Sequence, residues 1–250
     1  MPRIGIISAL HEELAAVLQR MPVEQRESVA GRDFWCGHWH GHALVAVLAR
    51  VGKVAAATTA TVLIERFGVD RIVFTGVAGG LAADVRVGDI VLARELLQHD
   101  MDASPLFPRH EVPLYGRARF AADAALSDAL AHAAQTVLAQ PETALGTAVA
   151  RELALHTARL HQGLVVTGDR FVATALESAA LRRELPDALA VEMEGAAVAQ
   201  VCHDYGIPFA AVRTISDRAD DSAHLDFSRF VRQVASPVSA AVLEAYFQKL

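Results

Sequence analysis

The chain has 250 residues, 53% of them hydrophobic, and carries a formal net charge of −6. This length suffices to bury a large core, and we expect a single domain over residues 1–250. The negative charge and the lack of a basic run argue against a nucleic-acid partner. The sequence has two cysteines, no signal-peptide pattern and no uncharged run of the roughly 18 residues that a membrane helix needs. We therefore expect a cytoplasmic protein with no membrane contact.

Short apolar runs alternate with segments of helical spacing along most of the chain. The predicted strands are 4–9, 34–39, 43–49, 71–75, 87–98, 163–167, 189–193 and 209–215. The predicted helices are 10–21, 54–67, 121–138, 175–184 and 195–205, and a last helix begins at Ser236-Pro237 with Ser236 as its N-cap. This alternation predicts an α/β fold in which helices cover both faces of a mostly parallel sheet.

Two segments between the predicted elements have the composition of functional loops. Residues 76–80 contain three glycines directly after a strand, which would let the backbone approach a ligand. A short glycine motif is a weak signal on its own. The proline-rich segment 104–113 is the one long irregular loop in the sequence, and such a loop in a compact domain is usually functional.

Two acids, Glu192 and Glu194, flank Met193 at the end of an apolar strand. If the strand continues through them, the two acids share one face and Met193 points to the other. A strand end with solvated acids is the alternative interpretation. Because an apolar helix follows, we expect at least one of the acids to be partly buried. A carboxylate is also a suitable acceptor for the paired hydroxyls of a ribose.

A second strand ends in Arg213, Ser216 and Asp217, and Glu13 follows the first strand. Ligands of open α/β sheets bind at the carboxyl ends of strands. Asp217 has the setting of a general acid if its pKa is raised above about 3.9, although it could instead cap the next helix. Glu13 lies in the first turn of a predicted helix, where an acid often serves only the helix dipole.

The sequence has histidines, a residue type that binds metals, at positions 38, 40 and 42. The glycine at 41 is expected to turn the chain. Structural zinc needs a closed set of ligands, so an exposed hairpin is the better interpretation. The segment His99-Asp-Met-Asp102 is better interpreted as the start of the proline-rich loop than as a metal site. We expect no metal and no cofactor.

Taken together, the motifs resemble the 5′-methylthioadenosine/S-adenosylhomocysteine nucleosidases of the nucleoside phosphorylase superfamily. The motifs are Glu13 after the first strand, Val51-Gly-Lys-Val54, Gly76-Val-Ala-Gly-Gly80, Val87-Gly-Asp-Ile90, Gly168-Asp-Arg-Phe171, Val191-Glu-Met-Glu194 and Ser216-Asp217. The resemblance implies a three-layer αβα sandwich around a twisted mixed sheet, in a homodimer. It also implies hydrolysis of the N-glycosidic bond of small adenosine derivatives with a 5′-thioether, releasing adenine.

The same resemblance assigns roles to individual residues. Glu13 would activate the attacking water, and Asp217 would protonate N7 of adenine, a consistent scheme for glycosidic cleavage. Glu194 would bind the ribose hydroxyls, Met193 would contact the sugar, and Arg213 would contact the water, with Ser216 beside Asp217. Phe171 would contact the adenine ring, and the backbone of Val172 would contact the adenine edge. The 5′ group would be lined by Val51, Phe227 and, from the 104–113 loop of the second subunit, Leu106 or Phe107.

The sequence departs from the family pattern at two positions near the expected site. Val77 stands where the family commonly has a small polar residue, so one contact to the water or sugar is missing. Arg50 stands where a glycine is usual. We hypothesise that Arg50 compensates for the hydroxyl that Val77 lacks, in which case substitutions at the two positions would be coupled.

A phosphate-dependent nucleoside phosphorylase is the nearest alternative, and it would need cations or backbone N–H groups around the phosphate. The phosphorylases most like this family have an arginine at the position of Phe74 and a serine or threonine at that of Val77, so hydrolysis is favoured. A nucleosidase for 5′-deoxyadenosine or aminodeoxyfutalosine is a further alternative. A non-catalytic ligand-binding or storage homologue would not need Glu13, Glu194 and Asp217 together.

Overall fold

The computed structural model describes residues 2–147, 150, 157–220 and 227–250. Its strands are β1 (Arg3–Ser8), β2 (Val23–Val29), β3 (Arg32–Trp39), β4 (His42–Leu48), β5 (Arg71–Gly80), β6 (Ile90–Gln98), β7 (Arg119–Ala121), β8 (Leu160–Thr167), β9 (Ala188–Glu192) and β10 (Phe209–Asp217). Its helices are α1 (His11–Leu18), α2 (Lys53–Phe67), α3 (Ala124–Ala139), α4 (Pro141–Leu145), α5 (Ala175–Glu184), α6 (Gly195–Tyr205), α7 (Phe227–Phe230) and α8 (Ser236–Phe247). A π-helical turn, Val231–Ala235, joins α7 to α8.

The strands form one mixed sheet, of which one part is open and the other closes on itself. In the open part, β1 lies between β4 and β5 and is parallel to both, and β3 and β2 continue the sheet as antiparallel neighbours. In the closed part, β10 pairs with both β5 and β6, while β8 and β9 complete the connection between β6 and β5. Antiparallel pairings are thus more frequent than the alternating pattern predicted.

Helices cover both faces of this sheet, which confirms the three-layer αβα arrangement. On one face, α2 and α6 pack together over the strands. Small residues such as Ala60 of α2 and Ala199 of α6 are buried there, so the two helices approach closely. On the other face, α8 packs against α1 and α3, with Leu14, Leu130 and Leu243 in the core. Each face therefore has its own apolar core, and the sheet separates them.

The glycine-rich residues 76–80 are not a loop but the second half of β5. This stretch pairs with β10 on one side and, at Gly79 and Gly80, with β9 on the other. A Cβ atom on Gly79 would lie 2.9 Å from Oδ1 of Asp217, and one on Gly76 would lie 3.0 Å from Oε1 of Glu13. The glycines therefore leave room for two carboxylates beside the strand.

Three other elements differ from the sequence analysis. Strand β2 was missed because it is mostly exposed and polar, as edge strands often are. The helix expected from residue 121 begins at Ala124, after the carboxylate of Asp123 accepts a hydrogen bond from the Leu126 N–H. Ser236 is not an N-cap, because the chain is already helical at Ala235, with φ −62° and ψ −45°.

The expected hairpin around His40 and Gly41 is confirmed, since these residues join β3 to β4 with φ values of 51° and 86°. The described residues contain no group of three or more His, Cys, Asp or Glu side chains placed to hold a metal ion. Across the described ranges, no helix combines the length and the apolar character that crossing a membrane requires.

Candidate active site

A cavity lies where the carboxyl ends of β1, β9 and β10 meet the glycine-rich half of β5. Except for Leu106 and Phe107, all the predicted site residues line it. The lining comprises Ala9, Leu10, Glu13, Val51, Phe74, Gly76, Val77, Ala78, Gly79, Arg170, Phe171, Val172, Val191, Glu192, Met193, Glu194, Arg213, Ser216, Asp217 and Phe227. Residues far apart in sequence are thus brought to one place by the closed part of the sheet.

Glu13 is 1% exposed, and backbone N–H groups hold its carboxylate. Its Oε2 accepts hydrogen bonds from Ala9 (3.0 Å) and Leu10 (2.9 Å), and its Oε1 accepts one from Val77 (3.0 Å). Burial raises the pKa of Glu13 to about 7, against the opposing effect of these bonds and of the charge on Arg213. A carboxylate has about four acceptor positions, so one remains for a ligand in the cavity. Near neutral pH this group can take up a proton.

Glu192 and Glu194 have different surroundings although only one residue separates them. Glu192 accepts hydrogen bonds from the hydroxyl of Thr167, from the N–H of Gly195 at 2.8 Å and from Nη2 of Arg213 at 2.9 Å. Its carboxylate is therefore fully engaged within the protein. Oε1 of Glu194 accepts a hydrogen bond from the N–H of Gly52 at 2.8 Å, which leaves its other oxygen available to a ligand.

The side chain of Glu194 is 5% exposed. Burial and the neighbouring charge of Glu192 raise its pKa. The expectation that Met193 points away from the two acids was wrong, because all three residues line the cavity. Strand β9 ends at Glu192, so the alternation of a strand does not extend to the next two residues.

Arg213 lies inside the sheet on β10 and is only 1% exposed. Its guanidinium group donates to Glu192 and, at 3.1 Å, to the carbonyl oxygen of Phe74. The guanidinium also lies over the Phe74 ring, 4.0 Å from the ring centroid. Its positive charge lowers the pKa values of Glu13 and Glu194, against the larger effect of burial.

Asp217 lies at a bulge where the pairing of β10 with β5 shifts after Ile215. One carboxylate oxygen accepts a hydrogen bond from the hydroxyl of Ser216 at 2.8 Å, and the other accepts one from the N–H of Ala219 at 2.7 Å. Asp217 is 7% exposed. A bulge of this kind redirects a side chain at the end of a strand, here into the cavity.

The mouth of the cavity is apolar and partly open. Val51 is 52% exposed and Phe171 is 42% exposed, and the rings of Phe171 and Phe227 make an edge-to-face contact with centroids 6.4 Å apart. Leu106 is 84% exposed on the proline-rich loop and does not contact the cavity of its own chain.

Arg50 does not lie where the compensation hypothesis placed it. Its side chain is exposed, and its guanidinium donates a hydrogen bond to the carbonyl oxygen of Gly31 instead of entering the cavity. Its backbone has a φ of 69°, a left-handed conformation in which glycine is the usual residue. The structure therefore gives no contact through which Arg50 would replace a hydroxyl at Val77.

Sequence reasoning missed a polar network that ties three loops together at the mouth. Nζ of Lys53 donates to Asp100 at 2.6 Å, and the N–H of Lys53 donates to Asp169 at 2.7 Å. Asp100 also accepts a hydrogen bond from the N–H of Asp169 at 2.8 Å. Lys53 and Asp169 belong to motifs quoted above, but only their tertiary contacts reveal this role.

Comparisons with known proteins identify the family of this chain. Residues 3–248 match the phosphorylase superfamily. The 5′-methylthioadenosine/S-adenosylhomocysteine nucleosidase of Neisseria meningitidis, solved with methylthio-immucillin-A, is 32% identical with a TM-score of 0.88, and all of both chains is covered. The corresponding nucleosidase of S. pneumoniae, solved with the transition-state inhibitor MT-ImmA, is 33% identical with a TM-score of 0.84, and 98% of each chain is covered.

A futalosine hydrolase of Helicobacter pylori is 32% identical with a TM-score of 0.84, and the match covers all of this chain and 98% of that one. These similarities confirm the resemblance predicted from the motifs, and with it the enzyme class, the N-glycosyl hydrolases. Because the superfamily match extends over nearly the whole sequence, the chain belongs to the phosphorylase superfamily.

Proposed function

We propose that this protein hydrolyses the N-glycosidic bond of 5′-thio-substituted adenosines, namely 5′-methylthioadenosine and S-adenosylhomocysteine, and releases adenine. One observation carries the proposal: two buried carboxylates, Glu13 and Asp217, border one cavity next to Gly76 and Gly79 of the same strand. Gly79 is the third residue after Gly76, about 10 Å along the strand at 3.3 Å per residue, so the two carboxylates reach the cavity at different positions along β5.

In the proposed reaction, Glu13 takes a proton from a water molecule, and the water oxygen forms a bond to C1′ of the ribose. The bond between C1′ and N9 breaks, and its electron pair passes to the adenine. Asp217 donates a proton to N7, so that adenine leaves as a neutral molecule. The pKa of Glu13, raised to about 7, suits a base that works near neutral pH.

The remaining lining residues have complementary roles in the proposal. The free oxygen of Glu194 binds the ribose hydroxyls, and Met193 packs on the sugar. Phe171 stacks on adenine, and the backbone of Val172 binds the edge of the base. The positive charge of Arg213 offsets the negative charges of Glu13 and Glu194, and its guanidinium helps to orient the water.

Phosphorolysis is less consistent with the charges in the cavity. Among the described residues, the cations in the lining are Arg170 and Arg213, and each is paired with a carboxylate, Glu177 and Glu192 respectively. A phosphate dianion would also lie next to the carboxylate of Glu13, which repels it. Water, which is neutral, meets neither obstacle.

The decisive experiment follows adenine release from 5′-methylthioadenosine in water enriched in ¹⁸O, with and without phosphate. We expect the free thioribose to carry one labelled oxygen at C1 and the rate not to increase with phosphate. Formation of a ribose 1-phosphate would contradict hydrolysis. Tight binding of the nucleoside without any adenine release would instead identify a non-catalytic homologue.

Three broader expectations belong to the same proposal. The chain acts as one domain, in the cytoplasm, and as a homodimer in which the 104–113 loop closes the 5′ end of the neighbouring cavity. The exposure of Leu106, at 84%, supports the last point, because a monomer would leave this apolar side chain in water. The choice of 5′ substituent then depends on residues at the mouth of the cavity.

A further inference from the structure

Helix α2 begins between two segments that the proposed function assigns to the substrate. Its N-cap position is a glycine, so no side chain there binds the first backbone N–H groups. The N–H of Gly52 instead donates to Oε1 of Glu194 at 2.8 Å, and that of Lys53 donates to Oδ1 of Asp169 at 2.7 Å. The free N–H groups and the positive end of the helix dipole stabilise these carboxylates. The start of α2 is therefore bonded both to the ribose ligand and to the turn that carries Phe171.

Glycines allow both segments to approach their neighbours closely. Gly52 has a φ of 99°, which residues with a side chain rarely adopt, and a Cβ atom there would lie 3.1 Å from Oδ1 of Asp169. A Cβ atom on Gly168 would overlap the imidazole ring of His99. The start of α2 and the turn 168–172 are thus packed directly against the groups that hold them.

Asp100, which follows β6, completes the connection between these segments. Its Oδ1 accepts a hydrogen bond from Nζ of Lys53 at 2.6 Å, and its Oδ2 accepts one from the N–H of Asp169 at 2.8 Å. Burial alone would raise the pKa of Asp100, but the hydrogen bonds and the charge of Lys53 outweigh it, so the pKa lies below its usual value. The group is therefore a carboxylate at neutral pH and can accept both bonds.

The network itself does not reach the cavity. Lys53, Asp100 and Asp169 are not part of the lining in the ranges that the structure describes, whereas Phe171 and Glu194 are. Phe171 lies two residues after Asp169, and Glu194 is bonded to the residue before Lys53. The network can therefore affect the reaction only by placing these two lining residues relative to each other.

We infer that Asp100 and Asp169 are positioning residues that fix the separation between the turn 168–172 and Glu194. This inference rests on the proposed function, in which Phe171 stacks on adenine and Glu194 binds the ribose. A nucleoside occupies both places at once, so its productive binding depends on their separation. Free adenine occupies only the first place and does not depend on it.

The test compares kcat/KM for 5′-methylthioadenosine with the inhibition constant of free adenine. Asp100→Ala removes the acceptor of both hydrogen bonds. We expect it to lower kcat/KM about tenfold, less than the 10²-fold that a displacement of about 1 Å can cost. The inhibition constant of adenine should change by less than about twofold. Equal changes in the two constants, or none in kcat/KM, would overturn the inference.

Two further variants show whether the effect is specific. Asp100→Asn preserves the shape and one acceptor oxygen, so it should retain part of the lost activity. Glu27→Ala is the matched control, because Glu27 and Asp100 each have a side chain that is 31% exposed and accepts a bond from a cation of α2. Its partner, Arg66, lies near the other end of the helix, so both constants should stay within about twofold of wild type. A tenfold loss in this control would mean that general loosening of α2 is the cause, against the inference.

A double-mutant cycle tests whether Asp100 acts through Glu194. Glu194→Ala removes the ribose ligand together with its bond to Gly52. In that background Asp100→Ala should lower kcat/KM by less than about twofold, because changes within one network are not additive. An undiminished tenfold loss would show that Asp100 acts by another route and would overturn the inference.

Failure of the proposed function can be told apart from failure of this inference. If the wild-type protein releases no adenine, the proposed function fails, and calorimetric titration with 5′-methylthioadenosine and with adenine tests the network instead. Asp100→Ala should then weaken binding of the nucleoside more than binding of adenine. Equal weakening of both, or binding of neither by the wild type, would overturn the inference as well.

Discussion

The inner end of the cavity and its mouth are built in different ways. At the inner end, Glu13, Glu194 and Arg213 are between 1% and 5% exposed, and hydrogen bonds within the chain fix each of them. At the mouth, Val51 and Phe171 are 52% and 42% exposed, and the Phe171 ring makes an edge-to-face contact with Phe227. The charged side chains at the inner end are thus buried and fixed, whereas the apolar side chains at the mouth are partly open to solvent.

This contrast indicates how the protein separates reactivity from selectivity. Burial is the largest cause of the raised pKa values of Glu13 and Glu194, so their chemistry depends on the sheet that surrounds them. The side chains of Val51 and Phe171 are not among the causes of these shifts. Substitutions at the inner end should therefore have large effects on turnover or folding, and substitutions at the mouth smaller effects on binding.

The largest expected effect is on turnover at the inner end. We expect Glu13→Gln and Asp217→Asn each to lower kcat by about 10²- to 10⁴-fold, the usual range for loss of a general base or acid. Glu12→Gln, the same change on the adjacent helical residue, is the matched control and should keep at least half of the activity. Near-normal turnover in either variant, with an unchanged melting temperature, would remove that residue from its proposed role.

The next effect is on folding and concerns the pair formed by Arg213 and Glu192. We expect Arg213→Met to lower the free energy of unfolding by about 3–5 kcal/mol, because it leaves a buried carboxylate without its counter-charge. Urea unfolding measures this loss, and adding Glu192→Gln to the same chain should restore part of it. Arg66→Met breaks an exposed pair and should cost about 1 kcal/mol or less. Equal losses for the two arginines would mean that burial of the pair is unimportant.

The same contrast explains which features could be predicted from the sequence. Helices α5 and α6 were predicted with their observed bounds, since apolar spacing and flanking signals such as Thr174 and Gly206 agree there. The residues Glu13 and Asp217 were identified through motifs, and the structure brings both to one cavity. Local patterns and family motifs were sufficient for these features.

Features that depend on tertiary partners could not be predicted in this way. Only the family resemblance distinguished Glu194 from Glu192 in the sequence; in the structure the difference comes from Thr167 and Arg213, which bind only Glu192. The glycines of β5 looked like a loop, because their role is to make space for carboxylates from distant segments. The direction of the Arg50 side chain likewise follows from a carbonyl group on a neighbouring turn.

At the mouth, the largest expected effect concerns assembly. If Leu106 is buried against a second subunit, Leu106→Ala should raise the dissociation constant of the dimer about tenfold, given the apolar area that is lost. Sedimentation over a range of concentrations measures this constant, and KM for 5′-methylthioadenosine should rise with it. Leu250→Ala, at the exposed C-terminus, is the control. A fully active monomer of the wild-type protein would contradict the proposed dimer.

Protonation of Glu13 below pH 7 should lower the activity but favour the folded state. Its pKa is about 7 in the folded protein, so kcat/KM should fall about tenfold per pH unit below 7 as the base becomes protonated. The unfolded chain has the lower value of 4.5, so the folded state binds the extra proton between pH 4.5 and 7. The contribution of Glu13 to stability is therefore present below pH 4.5 and is lost as the pH rises through 7. In Glu13→Gln this loss of stability between pH 4.5 and 7 should disappear. If the variant still shows it, other groups cause it.

The smallest expected effect is at Val77, on the boundary between the two regions. Its N–H already binds Glu13, and a serine at this position would keep that bond while adding a hydroxyl beside the carboxylate. One added hydrogen bond contributes about 0.5–1.5 kcal/mol, so Val77→Ser should change kcat for 5′-methylthioadenosine by no more than roughly tenfold. The partly buried valine also packs against the apolar core around α1 and α8, and losing that contact limits the gain.

A double-mutant cycle with Arg50→Gly decides whether the two departures from the family pattern are linked. Because the Arg50 side chain points to Gly31 and not into the cavity, the two changes should add to within about 0.5 kcal/mol when 5′-methylthioadenosine is the substrate. Arg50→Gly should even stabilise the fold slightly, since glycine adopts a φ of 69° without strain. Coupling of 1 kcal/mol or more would show that the arginine turns inward during catalysis, and the separation between a fixed inner end and an independent mouth would then fail at this residue.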